Sequence, residues 1–178
     1  MGKKVLILAG SPRKGGNSDL LCDEFARGAE EAGHKVEKIY VQEQKIGFCR
    51  ACDVCMRNGG ACIQKDDMED ILCAFQQADV VVLATPVYFY GVSAQMKACI
   101  DRTYPIWQHL GRKEVYYIVS AGLGEDIIAR SLGDLDGFVE HFEQYEIKGR
   151  LYAPNVMEAG AVRTQPVMEA AYQAGLHV

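Results

Sequence analysis

Lys4-Val5-Leu6-Ile7-Leu8-Ala9-Gly10-Ser11-Pro12-Arg13-Lys14-Gly15-Gly16-Asn17-Ser18 changes character twice within fifteen residues. After one lysine the run is apolar, as in a parallel strand buried on both faces. Small and turn-forming residues then make a loop. From about Ser18 to Ala32, Leu21, Phe25 and Ala29 recur at i, i+4 and i+8 on one helical face. Gly33 is placed to cap that helix.

The same alternation continues along the chain. His34 to Val41 reads as a second strand. Met68, Ile71, Leu72 and Phe75 form the buried stripe of a helix that starts near Asp66. Asp79 to Thr85 is the clearest buried strand. Ser93 can cap a helix that buries Met96 and Ile100. Glu114 to Ser120 is a fourth strand, Leu135, Phe138, Val139 and Phe142 mark a further helix, and Tyr145 to Leu151 is a fifth strand. Thr164 can cap a last helix with Pro166 in its first turn, ending at Gly175. Strands alternating with helices predict an α/β three-layer sandwich around a five-stranded parallel sheet. The expected order is 2-1-3-4-5, in one domain over residues 1–178 with a cysteine-rich loop, 48–63, after strand two. Ligands then bind beyond the carboxyl ends of the strands, in the loops after strands one, three and four.

The totals narrow the function. The 178 residues carry a net charge of -5, which argues against a nucleic-acid partner. No apolar run reaches the ~18 residues of a membrane span. Val5 to Ala9 is too short for a signal-peptide core, so the expected location is cytoplasmic.

The loop Gly10 to Ser18 combines small residues with a helix start, whose free N–H groups and dipole suit an anion. Ser11, Asn17 and Ser18 can donate hydrogen bonds, and Arg13 adds a fixed charge. A phosphate monoester fits this set; a surface loop with an Asn or Ser helix cap is the plain alternative. Neither a dinucleotide fingerprint nor a P-loop is present. After strand three, Thr85-Pro86-Val87-Tyr88-Phe89-Tyr90-Gly91 puts three successive aromatics in a loop. They are hard to bury together and can wall a flat ring, or pack at a subunit interface. Ser120-Ala121-Gly122-Leu123-Gly124 can flank the same ring. A phosphate site beside a site for a flat heterocycle describes FMN.

With these residues in hand the chain resembles a known group. The run Gly10-Ser11-Pro12-Arg13 to Asn17-Ser18, Asp66-Asp67-Met68, Pro86-Val87-Tyr88 and Lys97-x-x-x-Asp101-Arg102 are similar to the NADPH-dependent FMN reductases and iron–sulfur flavoproteins of the flavodoxin-like superfamily. The resemblance is strongest from residue 4 to residue 104. It implies that Ser11, Arg13, Asn17 and Ser18 hold the FMN phosphate and that Pro86, Val87, Tyr88 and Phe89 line the isoalloxazine. Ser120 and Gly122 join that set from the loop after strand four. The resemblance also implies a homodimer or homotetramer, with flavin near a subunit interface. Asp101 and Arg102 read as structural.

Four of the seven cysteines, Cys49, Cys52, Cys55 and Cys62, are spaced C-x2-C-x2-C-x6-C. That spacing suits a [4Fe–4S] cluster better than zinc, and it resembles the cluster motif of iron–sulfur flavoproteins. Reduced thiols, a disulfide and a zinc site stay open as alternatives. Cys22, Cys73 and Cys99 fall on predicted helices and read as core. Asp66-Asp67 reads as helix capping, and the four histidines share no ligand spacing. No nucleophile-and-base arrangement is evident, as expected where chemistry occurs at flavin N5.

Three functions follow as expectations. One is an FMN-dependent oxidoreductase, driven by NAD(P)H, that reduces a quinone, a flavin or another small acceptor. The second is an iron–sulfur flavoprotein exchanging electrons with a ferredoxin-like partner. The third is a non-catalytic flavin- or metal-sensing module.

Overall fold

The structure, a computed structural model, describes residues 2–142 and 144–178, with the backbone alone at position 109. Its elements in order are β1 (Lys4–Ala9), α1 (Asn17–Glu31), β2 (Lys35–Tyr40), α2 (Val54–Arg57), α3 (Met68–Gln77), β3 (Val80–Pro86), α4 (Ala94–Arg102), β4 (Lys113–Ser120), α5 (Glu125–Val139), β5 (Tyr145–Ala153) and α6 (Val167–Leu176). Short 3-10 turns lie at Val41–Glu43, Tyr104–His109 and Ala161–Thr164. The five strands form one parallel sheet in the order β2-β1-β3-β4-β5, as expected from the alternating pattern. No helix among the described residues is long and apolar enough to cross a membrane.

Alternation along the central strands divides the core into two layers. Leu6, Leu8, Val81, Leu83, Val115 and Tyr117 face α3, α4 and α5, meeting Ile71, Phe75, Met96 and Leu135. Val5, Ile7, Val80, Val82 and Ile118 face α1 and α6, meeting Leu21, Phe25, Ala29 and Ala171. β1 and β3 are buried on both faces, which is why both read as continuous apolar runs. α1 closes through paired bonds at its end, from Gly33 N–H to Glu30 O and from His34 N–H to Ala29 O, a Schellman motif.

Several expectations need correction. Thr164 does not cap α6: Pro166 occupies that position, while Thr164 ends the preceding 3-10 turn. Cys22 and Cys99 are buried, but Cys73 is exposed, on the solvent side of α3. Asp67 sits at the start of α3 without a side-chain capping bond, because its carboxylate accepts from Lys45 N–H at 2.7 Å.

α1 and α6 cross backbone to backbone. A Cβ on Gly28 would collide with the Tyr172 carbonyl oxygen, and one on Gly175 with that of Phe25. Neither obstacle is a flexible side chain, so relief requires moving a helix. Gly175→Ala is therefore expected to destabilise the fold by about 3 kcal/mol, the upper end of overpacking effects. Urea unfolding checks this; an unchanged midpoint means the helices can separate at little cost.

Candidate functional site

A chain of hydrogen bonds through five residues binds the tips of β1 and β3 together. Gly10 N–H donates to Ala84 O at 2.8 Å, and the Ser93 hydroxyl donates to Gly10 O at 2.6 Å. Ser93 N–H donates to Thr85 Oγ1 at 2.9 Å, and the Thr85 hydroxyl donates to Pro86 O at 2.9 Å. Ser93 Oγ also accepts from Met96 N–H at 3.1 Å, the expected cap of α4. A side chain on Gly10 is excluded: its Cβ would lie 2.9 Å from Ala84 O and 3.0 Å from Met96 Cβ. Thr85 and Ser93 are fully buried, so these polar groups need the partners they have.

The start of α1 is left open to an anion. Gly16 makes no side-chain cap. Among the described residues no acceptor faces the N–H groups of Asn17, Ser18 and Asp19. These are the orphan donors of a helix N-terminus, which attract a negative group. Ser11 Oγ accepts from Arg13 N–H at 3.1 Å and shapes the loop. The exposed Arg13 guanidinium has no partner among the described residues. The Asp19 carboxylate in the first turn would repel an anion, but Lys38 Nζ lies 2.5 Å from Oδ1, and Gly15 N–H donates to Oδ2 at 2.8 Å. Burial pulls the Lys38 ammonium towards neutrality; its bonds to Asp19 and Asp23 outweigh that and hold its pKa above the ordinary lysine value.

The aromatic wall is a hairpin after β3. Val87 N–H donates to Ser120 O at 2.8 Å, tying it to the tip of β4. Tyr88 and Gly91 exchange backbone bonds of 3.0 and 3.1 Å. Between them Phe89 and Tyr90 are both left-handed, at φ 47° and 66°. A non-glycine residue in that region costs about 1–2 kcal/mol. The surroundings hold the turn: Arg130 lies over the Tyr90 ring at 4.7 Å, and Asp134 accepts from Val92 N–H at 3.3 Å. Phe89 is fully exposed. Strain of this kind gathers at functional sites.

The two ends meet. Ser11, Arg13, Asn17 and Ser18 line the same cavity, of about 330 Å³, as Pro86, Val87, Tyr88 and Phe89. Ser120 and Gly122 line it too. The sequence reading missed a further wall, formed by Val156, Met157 and Ala159 after β5. Asn155 N–H donates to Leu123 O at 2.9 Å and Val156 N–H to Ala121 O at 2.8 Å, which seats this segment against the β4 tip. Pro154-Asn155 is a turn dipeptide and could have flagged it: Asn155 is left-handed at φ 59°, a conformation asparagine tolerates. Asn17 also departs from expectation. Both of its amide hydrogens go to that wall, to Val156 O and Glu158 O at 2.9 Å each.

The cavity fits FMN by the chemistry of its donors. Orphan N–H groups and an unpartnered guanidinium suit a phosphate, and the aromatic hairpin suits a flat ring.

The cysteine loop is a separate unit held by one buried ion pair. Arg102, at the end of α4 and only 2% exposed, grips Asp66 with two bonds of 2.8 Å and donates to Gly47 O at 2.6 Å. Asp66 also accepts from Gly47 N–H and Met68 N–H, so it anchors the loop as well as starting the helix. The Arg102 guanidinium hydrogen-bonds the Asp66 carboxyl and holds its pKa below the ordinary value, against a smaller effect of burial. Arg102 Nη2 lies 3.6 Å from Cys62 Sγ. Cys49, Cys52, Cys55 and Cys62 line one narrow cavity, with Ala51 and Asp53 left-handed between them. Burial pushes the Cys55 thiol up, and Cys62 and Cys52 add to the effect. The donor set has the chemistry of a cluster site. Among the described residues, however, no three metal-ligating side chains converge on a common centre.

A parallel sheet ordered 2-1-3-4-5, with an anion-ready loop and an aromatic wall at its switch point, defines a flavodoxin-like ligand-binding protein. Residues 3–153 match the profile described as NADPH-dependent FMN reductase, and the chain belongs to that family. An iron–sulfur flavoprotein of Archaeoglobus fulgidus is 38% identical over 125 residues, 68% of this chain and 56% of that protein. The chain spans about half the length of the curated iron–sulfur flavoproteins it matches. A Bacillus subtilis protein, provisionally named as an NAD(P)H-dependent FMN-containing oxidoreductase, is 26% identical over 177 residues, 94% of each chain. Among solved structures, an NAD(P)H:quinone oxidoreductase from Methanothermobacter marburgensis is similar, with a TM-score of 0.77 at 18% identity. That match covers 99% of this chain and 96% of the other. At such identity the likeness is one of fold.

Because Asp66 is more acidic in the folded than in the unfolded chain, the pair contributes fully above about pH 4. Its contribution fades as pH falls through the lower folded value. Asp66→Asn is expected to be less stable at pH 7, with the gap to wild type narrowing below about pH 4. Urea midpoints at several pH values measure this; a gap constant with pH would remove Asp66 as the titrating anchor.

Proposed function

We propose that this protein is an FMN-dependent oxidoreductase that takes electrons from NAD(P)H and delivers them to a quinone, a flavin or another small acceptor. One observation carries the reading: a single cavity has unpartnered helix-start N–H groups at one end and a strained aromatic hairpin at the other. FMN held there would supply the hydride and electron-transfer chemistry.

The chain's own residues then bind, orient and shield. The N–H groups of Asn17, Ser18 and Asp19, the Ser11 and Ser18 hydroxyls and the Arg13 guanidinium hold the phosphate. Pro86, Val87, Tyr88 and Phe89 wall the ring, and Ser120 and Gly122 flank it. The backbone N–H groups of Phe89 and Tyr90 have no acceptor among the described residues and would be free to bond polar atoms of the ring. Lys38 keeps Asp19 from opposing the phosphate. No side chain is assigned to proton transfer. The donor and acceptor are small molecules, and the protein works in the cytoplasm as a homodimer or homotetramer, in which a partner subunit covers the exposed Phe89.

A second reading rests on a different observation, the four cysteines around one cavity beside Arg102. In it Cys49, Cys52, Cys55 and Cys62 would close on a common centre to hold a [4Fe–4S] cluster, which would supply one-electron exchange with a ferredoxin-like partner. Anaerobic purification with flavin, iron and sulfide analysis separates the two. Flavin without iron supports the oxidoreductase alone, and flavin with matched iron and sulfide supports the cluster. A colourless protein that takes up no FMN leaves only a non-catalytic module.

Arg13→Ala is expected to weaken FMN binding about tenfold, the effect of losing one charge-assisted contact at a partly exposed site. Quenching of flavin fluorescence during titration reads this directly. Unchanged affinity would remove Arg13 from the phosphate site.

A further inference from the structure

Asn17 stands at the first position of α1, where a phosphate ligand is expected, yet its side chain is already occupied. Nδ2 has two hydrogens, and they go to Val156 O and Glu158 O, both at 2.9 Å. Oδ1 accepts from Val162 N–H at 3.2 Å. The amide orientation follows from this chemistry, since two carbonyls lie on one side and an N–H on the other. No donor remains on the side chain for an anion, and the oxygen that remains would repel one. The three partners all belong to the segment after β5, whose Val156, Met157 and Ala159 line the same cavity, with Met157 against Gly122 of the loop after β4. A single side chain thus joins the helix that offers N–H groups to a phosphate to the wall that faces a ring.

We propose that Asn17 is a positioning residue for the ring wall rather than a phosphate ligand through its side chain. It clasps residues 156–162 in place, while only its backbone N–H serves the anion. The inference rests on the flavin reading of the cavity. Gln165 supports the same segment where it leaves β5, its Nε2 donating to Pro154 O at 2.9 Å, and it does not line the cavity. With the clasp removed, Val156 O, Glu158 O and Val162 N–H turn to water and the wall loosens. Ring binding weakens, while the phosphate donors stay where they are. Alanine is a strong helix former, so α1 itself is retained in Asn17→Ala.

Riboflavin, which has the ring and no phosphate, separates the two roles. Flavin-free wild type, Asn17→Ala, Gln165→Ala and Arg13→Ala are titrated with FMN and with riboflavin. Asn17→Ala is expected to lose about tenfold for both ligands, by an equal factor, from two or three lost hydrogen bonds. Gln165→Ala is expected to lose less, again equally for both, whereas Arg13→Ala loses FMN alone. Hydrogen exchange on the same variants guards against general unfolding: in Asn17→Ala it should quicken at residues 156–163 and not in β1 or β3. A loss confined to FMN in Asn17→Ala makes its side chain a phosphate ligand and overturns the proposal. So does unchanged riboflavin binding in Gln165→Ala, or exchange that quickens throughout the chain. Riboflavin held too weakly for the wild type to register also counts against it, because the wall would then contribute little to the ring. Wild type that binds neither flavin defeats the flavin reading itself, a separate result.

Discussion

Everything at the carboxyl edge of the sheet depends on the contact between Gly10 and its two neighbours, the Ala84 carbonyl and the Ser93 hydroxyl. The contact is polar, buried and without room for a side chain at residue 10. It sets the loop after β1 against the loop after β3 to within a hydrogen bond. Ser93 serves both that junction and the start of α4, so the helix and the two strand tips share one fixed point. Buried donors and acceptors in such a junction are costly to leave unpaired, about 1–3 kcal/mol each, which makes the arrangement close to all-or-none.

From that point two unlike regions extend. Towards the cavity the chain keeps features that folding alone would avoid: helix-start donors without acceptors, two left-handed aromatics and a wholly exposed Phe89. Elsewhere it neutralises what would oppose an anion, as Lys38 does for Asp19. Towards the other end of α4, Arg102 and Asp66 pin the cysteine loop. One nine-residue helix therefore carries the cavity-side junction at its start and the thiol-side anchor at its finish. The geometry gives both units a common rigid support.

Much of this was legible in the residues themselves. Buried parallel strands are nearly uninterrupted apolar runs, so β1 and β3 announce themselves, and alternation with helices leaves few topologies. The loops after β1, β3 and β4 stand out because glycine and proline mark turns there, and because three successive aromatics are costly to expose in an ordinary loop. What was not legible depends on long-range partners. The segment after β5 contributes backbone seated on the β4 tip; Pro154-Asn155 marks a turn there, but nothing local records which strand it meets. Asn17 looked like an anion ligand because position and residue type suited one, while its partners lie more than a hundred residues away. Asp66 likewise looked like a cap until Arg102 appeared opposite it. Cys73 sits beside apolar helix positions in sequence but turns outward on α3.

The central claim is that a single ligand spans the junction, phosphate on one loop and ring on the other. Hydrogen exchange with and without FMN tests this most directly. The account predicts that amides 17–19 and 89–90 become protected together, over one range of FMN concentration. Saturating FMN that protects one group and leaves the other unchanged would contradict it.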